Sequence, residues 1–479
     1  MPYNEDYFNS DEFHELLDSY ETSLNTGQKP FMDASDLVDI ADYYNFSGDY
    51  DKAVEAVDHA LDLYPHSTLP NVFKARQALM EGDFEKAHQY ADSIEDQDEP
   101  DYHYLVAEIK IAEGFIEEAD RYLRDYAMTV EPEEYEDFIK DCANLYIDYN
   151  ISDKAYEWMM RSKGDNSSDF KELMARTLFG IGKYKDSEKL FNELIDRNPY
   201  STNYWNALAS AQLMNDDYSN AITSSEYAIA IAPNEPEGIA NKANGLFRMG
   251  NYEEALEYFR RLGKLVPDDN FVLLNIGVCL VNLGRHQEAI EPLERALEKS
   301  PDDIDVLPQI YQELAFCYSA LKQPSKALEM LDLTEELPCD HSDMLVIRGH
   351  IQLENNMIKE AEESFQRAIK AADSAPSILL RIIVSLYDNR YVHACYQMFK
   401  KFFKVVNEYE PDFDKGYAYL ALCCYDLGKQ EEFQITLHRA VEKNPQETRM
   451  VLGFLFPEGM DPSDYIKWAN QNIRIEEKN

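Results

Sequence analysis

The chain has 479 residues, with 91 acidic against 45 basic side chains and a formal net charge of −46. Such a polyanion repels a phosphate backbone, because nucleic-acid affinity comes largely from Lys and Arg displacing counterions, and it is disfavoured on an anionic membrane for the same reason. No nucleic acid and no membrane are therefore expected as partners, while a basic protein or peptide is permitted. With 45% hydrophobic residues and 33 tyrosines, the composition is that of a folded chain rather than a disordered one.

The plainest account of the acidity is a solvated outer face that keeps a long molecule in solution. No stretch has the apolar length of a membrane span. The opening MPYNEDYFNS lacks a basic region followed by an apolar run, so it does not read as a secretory signal. The cysteines are Cys142, Cys279, Cys317, Cys339, Cys395, Cys423 and Cys424, with no CxxC pair. That pattern suits reduced, buried thiols in a cytoplasmic protein. Cys423 and Cys424 cannot share one helical face, so at least one is expected in the core.

In chain order, Phe13, Leu16, Leu17, Tyr20 and Leu24 fall at helical spacing, which predicts a capping helix within residues 1–33. A repeat begins next. Gly48-Asp49-Tyr50 precedes Ala53, and Gly82-Asp83-Phe84 precedes Ala87, 34 residues later. Ala119 and Ala155 follow at spacings of 32 and 36. From 168 to 301 the period is strict. Pro199, Pro233, Pro267 and Pro301 are each 34 apart, small residues recur at Ser187, Ala221, Ala255 and Ala289, and another set recurs at Ala175, Ala209, Ala243 and Gly277. Gly182, Gly250 and Gly284 stand between the two sets. Ala327 comes 38 after Ala289, with the extra residues near 302–308, and Ala361 and Ala394 follow at 34 and 33. The last unit holds Gly428, Phe433, Ala440 and Pro445. About twelve units are thus expected over 34–445.

Each unit reads as two helices. The first ends where a glycine can take the left-handed cap conformation, and the second stops before a proline that cannot continue it. The small residues mark where the two helices approach most closely. Larger apolar residues such as Leu178, Phe191, Leu246, Phe259, Leu280 and Leu293 then act as knobs into the next hairpin. One hairpin cannot bury its apolar face alone, so the fold class is all-α, a stack of helical hairpins. Residues 446–479 should close the stack. Asp461 is the expected N-cap of a helix with Pro462 at its first position and Tyr465, Trp468, Ala469 and Ile473 on one face. The apolar run 453–457 either seals the final hairpin or docks on a partner or on this protein's own groove.

Trp205, Leu208, Ala209, Ala221, Ala228 and Pro233 in one unit, and Gly277, Leu280, Ala289, Ala296 and Pro301 in another, resemble the tetratricopeptide repeat family. The units around Ala119, Ala155 and Ala394 depart most from its pattern. The low-glycine, Tyr- and Asp-rich composition is similar to that of tetratricopeptide proteins of Bacteroidetes. The resemblance implies a right-handed superhelical solenoid in which first helices line a concave groove. It further implies a non-catalytic scaffold without cofactor or metal, holding an extended peptide or a partner helix.

The family's groove positions fall here on Arg176, Asn203, Asn206, Asn241, Asn244, Arg248, Asn275 and Asn282. Asn241 and Asn275 are 34 apart and so equivalent. An asparagine amide both donates and accepts, and a row of them can pair with a peptide backbone of any sequence. The row is short, since Ala207 and Glu313 break it, and asparagine is also simply tolerated on a solvated helix face. The family's carboxylate clamp needs a lysine where this chain has Glu172, Asn206, Ala240 and Leu274, so an acidic chaperone tail is not expected.

No GxSxG elbow, phosphate-binding glycine loop, HExxH or calcium loop occurs. The histidines are scattered, with His14 in the first capping helix and His350 expected on the groove. An RNA-reading helical repeat is one alternative, but it needs a basic inner face, and the charge of −46 opposes it. An enzyme with a site hidden in 391–425 is another, although the aromatics and cysteines there fit hairpin cores.

Overall fold

Wherever apolar residues recur at helical spacing the chain is helical, and no strand occurs among the described residues, which are 5–25, 30–373, 375–457 and 459–474 of this computed structural model. Contacts gather the chain into two units, Met1–Asn241 and Lys242–Asn479, and the division falls inside the helix Pro236–Arg248.

In the first unit the helix Asp11–Asn25 precedes six helical pairs. They are Ala34–Phe46 with Tyr50–Leu63, Thr68–Met80 with Phe84–Asp92, Pro100–Ala112 with Ile116–Tyr126, Tyr135–Asp148 with Ser152–Met159, Ser168–Gly180 with Tyr184–Arg197, and Thr202–Met214 with Tyr218–Ile231. In the second unit the helix Tyr252–Leu265 is followed by five pairs. They are Asn270–Asn282 with His286–Lys299, Leu307–Ala320 with Pro324–Asp332, His341–Glu354 with Ile358–Ala371, Pro376–Asp388 with Val392–Tyr409, and Tyr417–Asp426 with Gln430–Lys443. Pro445–Leu452 and Pro462–Asn472 come last. The architecture is all-α, built of helical hairpins. Beside three of the slips in the sequence period the second helix is short, Phe84–Asp92, Ser152–Met159 and Pro324–Asp332 having 9, 8 and 9 residues against 14 in the regular pairs, whereas Val392–Tyr409 at the slip of Ala394 has 18.

The turns explain the glycine pattern. Gly182, Gly250 and Gly284 have φ of 75, 81 and 72°, which costs a residue without Cβ nothing. The pair that lacks this glycine uses Asp216 at φ 58° instead, one of the few residue types that visits the left-handed region. Its backbone bonds match the glycine version: Asp217 N to Gln212 O at 2.9 Å, as Lys183 N to Leu178 O at 2.8 Å. Lys322 and Arg390 fill the same role further on, at φ 59 and 70°.

The small positions lie at the closest approach of paired helices. Ala175, Ala209, Ala221, Ala255 and Ala289 are fully buried, as is Ser187, whose Oγ donates to Ala175 O at 2.8 Å. A Cβ on Gly277 would stand 2.5 Å from Leu293 Cγ and Cδ2. Gly277→Ala should therefore destabilise the second unit by about 1–3 kcal/mol through overpacking. Urea unfolding followed by circular dichroism checks this, and an unmoved midpoint would mean that the helices can part at no cost.

At the N-terminal end Phe13, Leu17 and Tyr20 bury against Leu37, Ile40, Ala41 and Tyr44, and Tyr44 Oη donates to Glu21 Oε1 at 2.9 Å. Leu24 departs from the expected apolar face and is exposed. At the other end Asp461 Oδ1 accepts from Ser463 N at 3.0 Å, capping Pro462–Asn472. Within 453–457, Phe456 is buried with its ring stacked on Tyr465 at 3.7 Å, whereas Phe454 is 71% exposed.

Candidate partner-binding surface

In the first unit, polar side chains about one repeat apart tie successive first helices together. Arg76 Nε donates to Glu108 Oε2 at 2.8 Å, and Tyr149 Oη donates to Glu108 Oε1 at 3.5 Å. Tyr104 Oη donates to Asp141 Oδ2 at 3.0 Å. Burial, reinforced by Asp39, pushes the Asp42 carboxyl up to about 6, and burial also raises Asp101 and Asp141.

Two of the groove asparagines belong to a tie of this kind. Asn206 is 1% exposed, and its Nδ2 donates to Glu235 Oε2 at 2.8 Å and to Glu237 Oε2 at 3.4 Å. Its backbone oxygen accepts from Asn241 Nδ2 at 3.2 Å, and that same nitrogen meets Ser210 Oγ at 3.2 Å. Asn241 is 7% exposed. Glu235 in turn accepts from the backbone N–H groups of Glu237 and Gly238, both at 2.9 Å, so it caps the helix Pro236–Arg248. Gly238 packs closely on this tie: a Cβ there would stand 3.1 Å from Asn206 Oδ1, so the amide would have to shift by a few tenths of an ångström. Asn206 and Asn241 are thus buried and committed to the junction between hairpins. They do not line an open surface as expected, because a buried amide takes the partners that burial supplies.

The remaining candidates lie on accessible surface. Arg176 and Asn203 of the first unit are exposed. In the second unit Arg248 and Asn282 are exposed at equivalent places 34 residues apart, and Asn244 and Asn275 are half-buried. The amide nitrogens of Asn275 and Asn282 donate to Phe271 O and Val278 O of their own helix, at 2.8 and 2.9 Å. Asn275 therefore behaves differently from its equivalent Asn241: one bonds its own turn, the other the neighbouring hairpin.

Several polar contacts of the second unit were not expected from the sequence. Glu313, read only as a break in the asparagine row, is 8% exposed, and burial pushes its carboxyl up to about 7 against a single contact from Gln312 Nε2 at 3.4 Å. His350 Nδ1 lies 3.0 Å from Ser385 Oγ, and Lys322 Nζ donates to Glu354 Oε1 at 3.0 Å. The available signal was the spacing, since these pairs stand 35 and 32 residues apart. Among the described residues no three His, Cys, Asp or Glu side chains gather as metal ligands would, and no helix is long and apolar enough to cross a membrane.

Tetratricopeptide repeat profiles match residues 173–236 and 241–304, and a second such profile matches 37–67 and 342–374. The chain is similar to the crystal structure of yeast Tom70, with 15% identity, 88% of this chain and 94% of that one covered, and a TM-score of 0.42. It is similar to a tetratricopeptide repeat protein from Parabacteroides merdae, with 14% identity, 52% and 98% coverage, and a TM-score of 0.42. The Cut9–Hcn1 hetero-tetramer of APC/C aligns at 14% identity over 98% of this chain and 95% of that one, with a TM-score of 0.36. At these scores none of the three bears on role or partner. No curated protein matches the chain. The strict period, the buried small residues and the four matched segments together identify tetratricopeptide repeats in both units of this chain.

Proposed function

We propose that the protein is a non-catalytic cytoplasmic adaptor that holds an extended peptide or a partner helix against the first helices of its hairpins. The observation that carries this reading is the division of labour among the polar residues at the family's groove positions. Asn206 and Asn241 are consumed inside, whereas Asn244, Arg248, Asn275 and Asn282 stay on the accessible surface of the second unit. An amide whose nitrogen bonds its own helix still offers its oxygen to a backbone N–H, and Arg248 offers a fork of donors. Charge favours a partner carrying Lys and Arg. Residues 1–241 hold 52 acidic and 18 basic side chains, a net of −34, and residues 242–479 carry the remaining −12, so both units are anionic and each attracts a basic segment. Seven cysteines without a disulfide are in keeping with a reducing compartment.

A peptide-display library panned on the full chain tests the reading. Selected peptides should lose roughly tenfold or more in affinity on the variant Arg248→Ala with Asn275→Ala and Asn282→Ala. Peptides that bind this variant undiminished would place recognition elsewhere on the molecule.

A further inference from the structure

The sulfurs of Cys395 and Cys423 touch at 3.5 Å. Cys395 lies on Val392–Tyr409 and Cys423 on Tyr417–Asp426, so the contact joins the second helix of one hairpin to the first helix of the next. Both are fully buried in one core with Phe399, Tyr396, Leu422 and Phe433. Cys395 Sγ also donates to Ile383 O at 3.2 Å, which fixes where its sulfur points. Cys424, the next residue, is turned by about 100° around the helix. No interaction of the partner-binding surface uses this pair, and ordinary packing requires only two small apolar residues here.

We infer that Cys395 and Cys423 form a thiol oxidation site, in which a small hydroperoxide converts the touching pair into a disulfide that staples the last two hairpins together. Full burial selects the oxidant. A peptide disulfide or an oxidoreductase cannot reach these sulfurs, whereas a small uncharged peroxide can enter through brief local opening. One sulfur attacks the outer peroxide oxygen, the O–O bond breaks, and the departing oxygen leaves as water after taking the thiol proton. The resulting sulfenic acid is attacked by the second sulfur. Its S–O bond breaks, and a second water leaves with the remaining thiol proton. Two electrons pass from the two thiols to the peroxide, and hydrogen peroxide becomes two waters. The sulfurs need only close from contact to the bonded separation of about 2 Å. The bond to Cys395 and burial both push the Cys423 thiol up. The reaction is therefore slow in the closed core, and the site responds to sustained rather than fleeting oxidant. The staple links residues 28 positions apart and restricts the unfolded chain, so it resists unfolding of the hairpins it joins.

The test exposes the full chain to hydrogen peroxide and then blocks remaining thiols under denaturing conditions before mass spectrometry. A second arm adds the peroxide in urea just below the unfolding transition, then removes the urea. The expected result is a loss of two hydrogens and a Cys395–Cys423 cross-linked peptide, formed faster in the second arm. The cross-link should persist in Cys424→Ala and be absent from Cys395→Ala and Cys423→Ala, and the oxidised protein should unfold at higher urea than the reduced one. Seven blocked thiols in both arms, oxidation to sulfinic acid without a cross-link, or a link running through Cys424 would each overturn the proposal.

Discussion

Trp158→Ala should lower the stability of the first unit by about 3–5 kcal/mol, the largest single-residue effect expected in this molecule. The indole is fully buried, meets Phe138 edge-on at 5.7 Å, and carries the Arg161 guanidinium 4.1 Å above its ring. Its Nε1 donates to Asp120 Oδ1 at 3.1 Å, and Asp120 is itself almost fully buried beside Arg124 at 2.7 Å. The substitution thus leaves a large cavity next to Leu123, Ile139 and Cys142 and removes a donor from a buried carboxylate. Trp158→Phe keeps most of the volume and should cost clearly less. Unfolding in urea, followed by circular dichroism because the probe tryptophan is removed, reports both. A Trp158→Ala midpoint indistinguishable from that of the parent would show that this hairpin does not hold the unit together.

Glu313→Gln is expected to act in the opposite direction, raising the stability of the second unit at pH 8 by about 3 kcal/mol. The folded-state carboxyl titrates near 7 against an ordinary value of 4.5, with burial as the cause. A raised carboxyl binds its proton more tightly folded than unfolded. Its favourable contribution is complete below about 4.5 and is lost as the pH climbs through 7. The uncharged amide escapes that loss and can keep the contact with Gln312. The gap between variant and parent should therefore be wide at pH 8, narrow as the pH falls from about 7 towards 4.5, and close below about 4.5. Asp42 titrates in both proteins alike and cancels from the comparison. Parallel stability curves from pH 5 to 8 would show that Glu313 pays no ionisation cost in the folded chain.

The hairpin register was legible because it rests on residues with one physical purpose. A proline stops a helix, an alanine or glycine permits close approach, and a glycine turns left-handed, so Ala175 to Pro301 could be placed from spacing alone. The turns at Asp216, Lys322 and Arg390 were hidden, because those residues adopt a left-handed conformation only when the helices on either side impose it. Trp158 was hidden for a related reason. Its hairpin sits where the period slips, and the short helix Ser152–Met159 relies on one large side chain rather than on the repeated small and large pattern.

The surface was less legible than the fold. Position within the repeat brought Asn206, Asn241 and Asn275 forward as one class, yet spacing cannot say which way an amide turns. Asn206 is drawn inward by Glu235 and Glu237, which arise from a capping arrangement peculiar to that junction. Asn275 has no such neighbour and bonds Phe271 O. Glu313 occupies a comparable place with a carboxyl, and its burial follows from packing that no periodicity encodes.

The Asn206–Glu235–Asn241 junction makes the hairpins unequal as modules. Were Thr202–Ile231 transplanted beside a different neighbour, Asn206 would keep its inward place and lose the carboxylates that accept from its amide nitrogen, at a penalty of about 1–3 kcal/mol for a stranded donor. A shuffled or duplicated copy of that segment would be penalised at its seams even though its own helices formed correctly. The order of the repeats is therefore written into their joints, and insertions or deletions of whole hairpins are better tolerated where no such polar lock crosses the boundary.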